Sequence, residues 1–551
     1  MSPEVPRPVG SSSLVADFKS GFLVSLIALP LCLGIALASG FPPVSGLITA
    51  IIGGVLSTFL GSARLTIKGP AAGLIVIAIG CVTELGQGDP VNGYKRALAV
   101  GVVAALIQIA FAVFRIASAG VAMSPSVVHG MLAAIGIIII SKQAHVLLGV
   151  SPTAKEPLEL LAEIPGSLLH MNPEIALIGL LSLLVLFGLP LLPFRWSRRV
   201  PAPLFVLALA VPLGLYFDLG HDHIYRFWGE TFQLGPKALV TLPGSILDAV
   251  AFPDFSQIGS LVSIKYIVMF ALVGTIESTL TVLAVDALDP ERRPSNLDRD
   301  LLAVGIGNLV AAGIGGLPMI SEVVRSKANI DSGARSAKSN FFHGSLLLVA
   351  VALAPTMLHH IPLAALAAML VYTGTRLASP RELGHAWKIG PDQLILFTTT
   401  LVVTLATDLL VGVAAGLILK LVIHAIRGAY PATLVKTTVD RIRTGSELRL
   451  KVQGAAAFPS LLKVRRELVG LDPDIDRIVI DLADARLVDH TFLSRIDAMA
   501  AEIATAKLEI EGLDGMRAAS SHPHATRRRP VASIAQAYRR ATEARRGGRF
   551  Q

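Results

Sequence analysis

Twelve apolar stretches, each close to the length that carries a helix across the hydrocarbon of a bilayer, follow one another between residues 20 and 427. A helix rises about 1.5 Å per residue and the hydrocarbon is about 30 Å thick, so a crossing takes roughly 20 residues. The stretches lie near 20–39, 43–61, 96–117, 125–148, 174–194, 202–219, 264–286, 299–316, 340–358, 361–378, 392–407 and 409–427. With 53% hydrophobic and 16% charged residues in a chain of 551, a soluble globule is excluded and a polytopic membrane protein follows.

Two further segments, near 67–84 and 317–330, are too short and too interrupted by Gly and Pro to be full spans. They read Thr66-Ile67-Lys68-Gly69-Pro70-Ala71-Ala72-Gly73 and Gly315-Gly316-Leu317-Pro318-Met319-Ile320-Ser321-Glu322-Val323-Val324-Arg325-Ser326. Irregular backbone survives at membrane depth only where protein or a wet cavity satisfies its N–H and C=O groups. Each segment therefore reads as a short extended piece followed by a half helix. A helix that starts at mid-membrane aims its unpaired N–H groups and positive dipole end at whatever sits there. Two such starts facing one point make a binding site for an anion.

Counting these two, the total is fourteen. The broken segments come third and tenth, the same place in each set of seven. An odd number of spans per half inverts the second half, so the pattern is a 7+7 inverted repeat. Arg195, Arg198 and Arg199 after span six, Arg292, Arg293 and Arg299 after span eight, and Arg335 and Lys338 after span ten fall on one side, with Lys95 and Arg96 against the trend. The positive-inside rule puts that side, and both termini, in the cytoplasm of a cell whose inner (plasma) membrane holds the protein. The net charge of +9 suits acidic lipid headgroups rather than nucleic acid. The connection 220–263 is then external, and its His221 and His223 belong to a polar loop rather than to a metal site. Cys32 and Cys81 lie in apolar runs and form neither a disulfide framework nor a metal cluster.

Residues 1–18 read as a short cytoplasmic tail and 19–430 as the transmembrane domain. Beyond 430 the pattern changes to strands alternating with amphipathic helices: Leu448–Val452, 459–469, Arg477–Leu482, 490–506 and Leu508–Ile510. That spacing predicts a small α/β domain over 431–520, followed by a basic tail over 521–551. Histidines 490, 522 and 524 look scattered and structural.

The chain resembles the SulP anion transporters, relatives of the animal sulfate, chloride and bicarbonate exchangers, which carry a cytoplasmic STAS domain. The resemblance rests on Ile27-Ala28-Leu29-Pro30, the Gly69-Pro70 turn, Pro125-Ser126-Val127-Val128-His129-Gly130, Glu277-Ser278 and, above all, Gly307-Asn308 followed by Gly315-Gly316, Pro318, Arg325-Ser326 and Asn329. Val479-Ile480-Asp481-Leu482 and Asp489 carry the STAS likeness, with Asp489-His490-Thr491-Phe492 standing where soluble STAS relatives often have a phosphorylatable serine. The resemblance implies a core domain that moves against a gate domain, a homodimer, and an anion held between Lys68, Gly69, Pro70, Ala71, Ala72 and Gly73 on one side and Pro318, Ile320, Ser321, Glu322 and Arg325 on the other. Pro70 and Pro318 suit helix starts, where a missing N–H costs nothing.

Glu277 is an ionisable group inside an apolar span and so a functional candidate by default. Its position resembles the family's acidic coupling residue, able to take H⁺ or, with Thr281, to hold Na⁺. Three departures stand out: Leu31 where sulfate carriers have a polar residue, Lys68 before the Gly-Pro turn, and Glu322 at the second half-helix start. A fixed carboxylate at an anion-attracting helix end needs a partner, so a Lys68–Glu322 ion pair is expected, with Glu322–Arg325 at i,i+3 as its competitor. The function expected is secondary active transport of bicarbonate or sulfate by alternating access, without a cofactor beyond the coupling ion and without enzyme chemistry. The alternatives are a passive anion channel and a dicarboxylate or nucleobase carrier.

Overall fold

The structure, a computed structural model, describes residues 11–117, 123–154, 156–193, 201–242, 247–291, 293–353, 355–427, 437–468, 474–502 and 506–530. Residues 1–10 of the expected N-terminal tail, Arg195, Arg198, Arg199 and Arg292 among the orienting charges, and 531–551 of the basic tail lie outside the described residues. The chain divides into two units, one made of Met1–Val121 with Leu132–Ala378, the other of Ala122–Met131 with Ser379–Gln551.

In the first unit, α1 (Ser11–Ala38) and α2 (Pro43–Phe59) precede β1 (Ile67–Pro70), which turns through a 3-10 turn at Ala72–Leu74 into α3 (Ile75–Gly86) and then α4 (Pro90–Val113). Asp89 caps α4 by accepting from the Val91 and Asn92 amides, with Pro90 at the first helical position. The expected loop charges Lys95 and Arg96 thus lie inside a helix, and Arg96 pairs with Asp254 at 3.4 Å. Further along come the helix Pro125–Leu147, of which only the part from Leu132 belongs to this unit, and the helices Pro173–Gly188, Ala202–Tyr216, Leu261–Leu288 and Leu297–Gly313. The strand Met319–Glu322 then leads directly into the nine-residue helix Val323–Asp331. Lys338–Leu353 and Leu363–Leu377 follow. The stretches expected to cross within this unit fall on helices or on a strand with a half helix, and among the described residues of the chain six helices are long and apolar enough to cross unaided.

Close backbone approach holds several helices together. A methyl on Gly54 would meet Gly344 Cα at 2.5 Å, and one on Gly136 would meet the Gly374 carbonyl oxygen at 2.4 Å. Where lipid removes the hydrophobic drive between helices, small residues supply tight contact instead. One apolar cluster joins Ala28, Leu33, Leu47, Leu347 and Leu366; another joins Ile178, Val206, Ala365 and Ala368, and Leu31 packs against the second.

The 220–263 connection contains a hairpin absent from the sequence reading, β2 (His223–Phe227) and β3 (Glu230–Leu234), turned by Trp228 and Gly229 at φ 49° and 88°. Two positive φ values in a two-residue loop match the twist of the strands. His221 bonds Asp218, His223 bonds the His221 carbonyl, and among the described residues no group of three or more His, Cys, Asp or Glu side chains could hold a metal ion.

The second unit begins its C-terminal part with the helices Pro380–Ile389, Pro391–Ala406 and Leu409–Ile426, and ends in an α/β domain. At the centre of its sheet, Glu447–Ala456 pairs in parallel with Arg477–Asp481 and Ala485–Val488, and Lys507–Glu511 extends the sheet beyond Arg477–Asp481. Alternate residues Leu448, Leu450 and Val452 are fully buried and pack with Ile478, Ile480, Phe492 and Ile496, from the helix His490–Glu502. The edge strand Thr438–Thr444, which the sequence reading missed, pairs antiparallel with Glu447–Gln453.

Candidate anion site where two broken helices meet

The extended pieces cross as an antiparallel ladder with the register Ile67↔Glu322, Lys68↔Ser321, Gly69↔Ile320 and Pro70↔Met319. We call Met319–Glu322 β4. Because the strands run oppositely, the half helices leave from opposite ends of the ladder and their N-termini look back toward each other across it. The first half of the chain supplies one and the second half the other.

Four residues of ladder cannot satisfy this much buried backbone, and polar side chains complete it. Asn308 grips Met319 from both sides, accepting from its N–H at 2.6 Å and donating to its carbonyl at 3.1 Å. The Ser321 N–H donates to Ser278 Oγ, the Ile67 N–H to Ser326 Oγ and the Lys68 N–H to Asn340 Oδ1. Thr49 donates to the Leu317 carbonyl. Gly307-Asn308, Ser278 and Ser326, which carry much of the resemblance, thus hold the crossing in shape.

Directly opposed residues of an antiparallel ladder point to the same face, and successive residues to opposite faces. Lys68 and Ser321 therefore share one face and Gly69, Ile320 and Glu322 the other. On the first face the Lys68 ammonium, wholly buried, donates to Thr66 Oγ1 at 2.5 Å, Asp300 Oδ1 at 2.6 Å and Ser321 Oγ at 2.7 Å. Asp300 also accepts from the Ala63 N–H and from Ser321 Oγ. The expected Lys68–Glu322 pair is not formed: β alternation turns the two side chains away from each other, and Asp300 lies on the Lys68 side. All three ammonium N–H groups are spent, so the Lys68 side chain has none left for a solute.

On the second face, Glu322 is partly buried and caps the half helix, its Oε2 accepting from the Val324 and Arg325 amides at 3.2 and 3.3 Å. The competing i,i+3 ion pair with Arg325 is also not what forms. The Arg325 guanidinium, 1% exposed, donates to the Pro70 carbonyl at 2.5 Å and to Cys32 Sγ at 3.4 Å, and its Nε has no partner. A Cβ on Gly69 would stand 2.4 Å from Arg325 Nη1, so glycine is what lets the guanidinium lie on the strand. Arg325 is thus buried against β1.

Ala71, Ala72 and Gly73 form the buried start of the first half helix. The Glu277 carboxylate lies against this start: a Cβ on Gly73 would be 2.2 Å from Glu277 Oε1, an atom with no hydrogen-bond partner. Thr281 is buried one turn further along the same helix. Pro318 is not at a helix start, because β4 intervenes and the second half helix begins only at Val323. The structure therefore gathers Gly69, Gly73, Glu277, Ile320, Glu322 and Arg325 about one face and takes Lys68 and Ser321 to the other. Sequence reasoning missed Asp300, Cys32 and His343, whose buried ring nitrogens have no partner. An acidic residue within an apolar helix was the available signal for Asp300.

The fold agrees with comparisons to known proteins. Residues 14–400 match the model of the sulfate permease family. The chain is 26% identical over 440 residues to the bicarbonate transporter BicA of Synechocystis sp., covering 79% of this chain and 74% of that one. It is 25% identical over 408 residues to a putative sulfate transporter, YvdB, of Bacillus subtilis, covering 74% and 72%. The solved transmembrane domain of a cyanobacterial BicA superposes with a TM-score of 0.61 at 25% identity, covering 73% of this chain and 98% of that domain. The structure of SLC26A9 superposes with a TM-score of 0.65 at 12% identity over 91% of this chain and 84% of that one, a likeness of fold. The chain belongs to the sulfate permease family.

Proposed function

We propose that the protein is a secondary active carrier of a small inorganic oxyanion, bicarbonate or sulfate, coupled to H⁺ or Na⁺ and working by alternating access as a homodimer in the plasma membrane, with both termini and the STAS-like domain cytoplasmic. The observation that carries this reading is the pair of half-helix starts at opposite ends of the β1–β4 ladder, with the unpartnered Glu277 Oε1 against Gly73. Backbone N–H groups and Arg325 supply positive potential for the anion, and Glu277 supplies a seat for a proton or, with Thr281, for Na⁺. Transport by this route breaks no covalent bond and needs no catalytic residue. Bicarbonate ranks first because Leu31 packs into an apolar cluster and Cys32 is the residue of α1 that touches Arg325.

Uptake of labelled bicarbonate and sulfate into proteoliposomes under imposed H⁺ or Na⁺ gradients tests the reading. Gradient-driven uptake that falls at least about tenfold in Glu277→Gln is expected. Flux that ignores both gradients would make the protein a passive anion channel instead.

A further inference from the structure

The proposed site already contains an anion, the Glu322 carboxylate. It accepts from the Val324 and Arg325 amides, two of the N–H groups that a helix start leaves without an intrahelical partner and that a bound solute would otherwise take. Short Ser, Thr, Asp and Asn are the usual caps because their side-chain oxygen reaches the amides of the first turn directly. Glutamate has one more methylene than Asp, and Glu322 is only partly buried, so its carboxylate can leave the amides for water without unfolding the helix.

A second, independent observation points to a ligand on the same face. Arg325 is 1% exposed, yet its Nε donates to nothing, and Glu277 Oε1, 8% exposed as a residue, accepts from nothing. Buried polar atoms without partners are costly, and here the unspent donor belongs to the guanidinium lying on Gly69 and Pro70 while the unspent acceptor lies against Gly73 at the start of the first half helix, so the two border the stretch of backbone between the half-helix starts and mark room for a polar guest.

Resting on the reading of this face as the anion site, we propose that Glu322 is a tethered stand-in for the transported anion, which binds by displacing the Glu322 carboxylate from the Val324 and Arg325 amides. The stand-in defines what can replace it. Bicarbonate presents the same planar O–C–O fork and the same single charge as a carboxylate, so the exchange leaves the charge at the amides unchanged. Sulfate is tetrahedral and brings a second negative charge beside Glu277 and the displaced Glu322. Glu322 therefore selects monoanions with a carboxylate fork, of which bicarbonate and formate are the simplest, and it holds their affinity down by competing for the same donors.

Three variants of the full-length protein in proteoliposomes test this, with KM for labelled bicarbonate and formate and inhibition by sulfate as readouts. Glu322→Ser keeps a capping residue but removes the competing carboxylate, so KM for bicarbonate and formate should fall about tenfold and sulfate should become an inhibitor. Glu322→Asp, a stiffer cap, should raise KM. Glu322→Gln keeps an acceptor without the charge and should fall between wild type and Glu322→Ser. A purely structural cap predicts the opposite order, with Glu322→Asp the best carrier. That order, or KM and sulfate exclusion unchanged in all three, overturns the proposal while leaving gradient-driven transport intact. Loss of gradient dependence in the wild type would instead strike the underlying reading. Should Glu322→Ser fail to fold, the opposed shifts in Glu322→Asp and Glu322→Gln decide alone.

Discussion

Lys68 shows how far one residue can be read from its neighbours in sequence. A lysine inside an apolar segment announces a partner, because an unpaired buried ammonium costs far more than a protein's margin of stability. The partner's identity depends on strand register, and register was not legible before the ladder was seen. Asp300, 232 positions away, meets Lys68 because alternation along β1 sends that side chain to the face opposite Glu322. The pair joins β1 to the Leu297–Gly313 helix at 0% and 2% side-chain exposure. Burying a charge pair is weak evidence for net stability, but removing one member leaves the other uncompensated, at a cost of about 3–5 kcal/mol. Lys68→Met alone should therefore lower the thermal unfolding midpoint in detergent severely. Lys68→Met with Asp300→Asn should recover most of the loss, since Asn can still accept from the Ala63 amide. A double variant no better than the single one would show that the pair does more than neutralise itself.

At the scale of elements, the hydropathy pattern located the helices well because spans in lipid must be long, apolar and internally hydrogen-bonded. It also placed the two interruptions and their strand-then-helix character. It missed the start of the second half helix by several residues, because Pro318 reads as a helix opener while Asn308 holds Met319 extended by mimicking a neighbouring strand. A side chain that substitutes for a ladder leaves no local signature. The edge strand Thr438–Thr444 was missed for the same kind of reason, since its polar, largely exposed side chains carry no buried alternation. Asn308→Ala would strand the Met319 N–H and carbonyl in a buried setting, and at about 1–3 kcal/mol for each group the crossing should loosen. The expected result is a lower unfolding midpoint together with faster hydrogen exchange at Met319 and Ser321, while amides of the Lys507–Glu511 strand stay protected. Unchanged exchange at Met319 would mean that the ladder stands without its asparagine clamp.

For the molecule as a whole, the 3.6- and 2-residue periods separate a membrane-type region from an α/β domain, but they say nothing about which distant residues converge. The C-terminal histidines make the point. Read along the chain they look scattered, yet His522 and His524 have ring centroids 5.4 Å apart, His385 lies 6.2 Å from His522, and His490 lies 6.4 Å from His524. His490 bonds the His524 carbonyl, and the His524 ring bonds Asp497. Burial pushes the His490 imidazole below its ordinary range against the opposing pull of that carbonyl and of Asp489, and burial together with the His524 and His385 charges does the same to His522. A histidine whose folded-state pKa is depressed binds fewer protons folded than unfolded. Its contribution is complete above about pH 6.5 and is lost as pH falls from there toward the folded-state value. Glu509, on the strand Lys507–Glu511 and drawn down to about 2 by Lys507 and Arg477, is charged throughout that window and adds no slope. The C-terminal domain should therefore lose stability between pH 7 and pH 5.5, read as faster hydrogen exchange in the His490–Glu502 helix of the full-length protein. His490→Gln with His522→Gln should flatten that dependence, and a slope unchanged in the double variant would assign it to other groups.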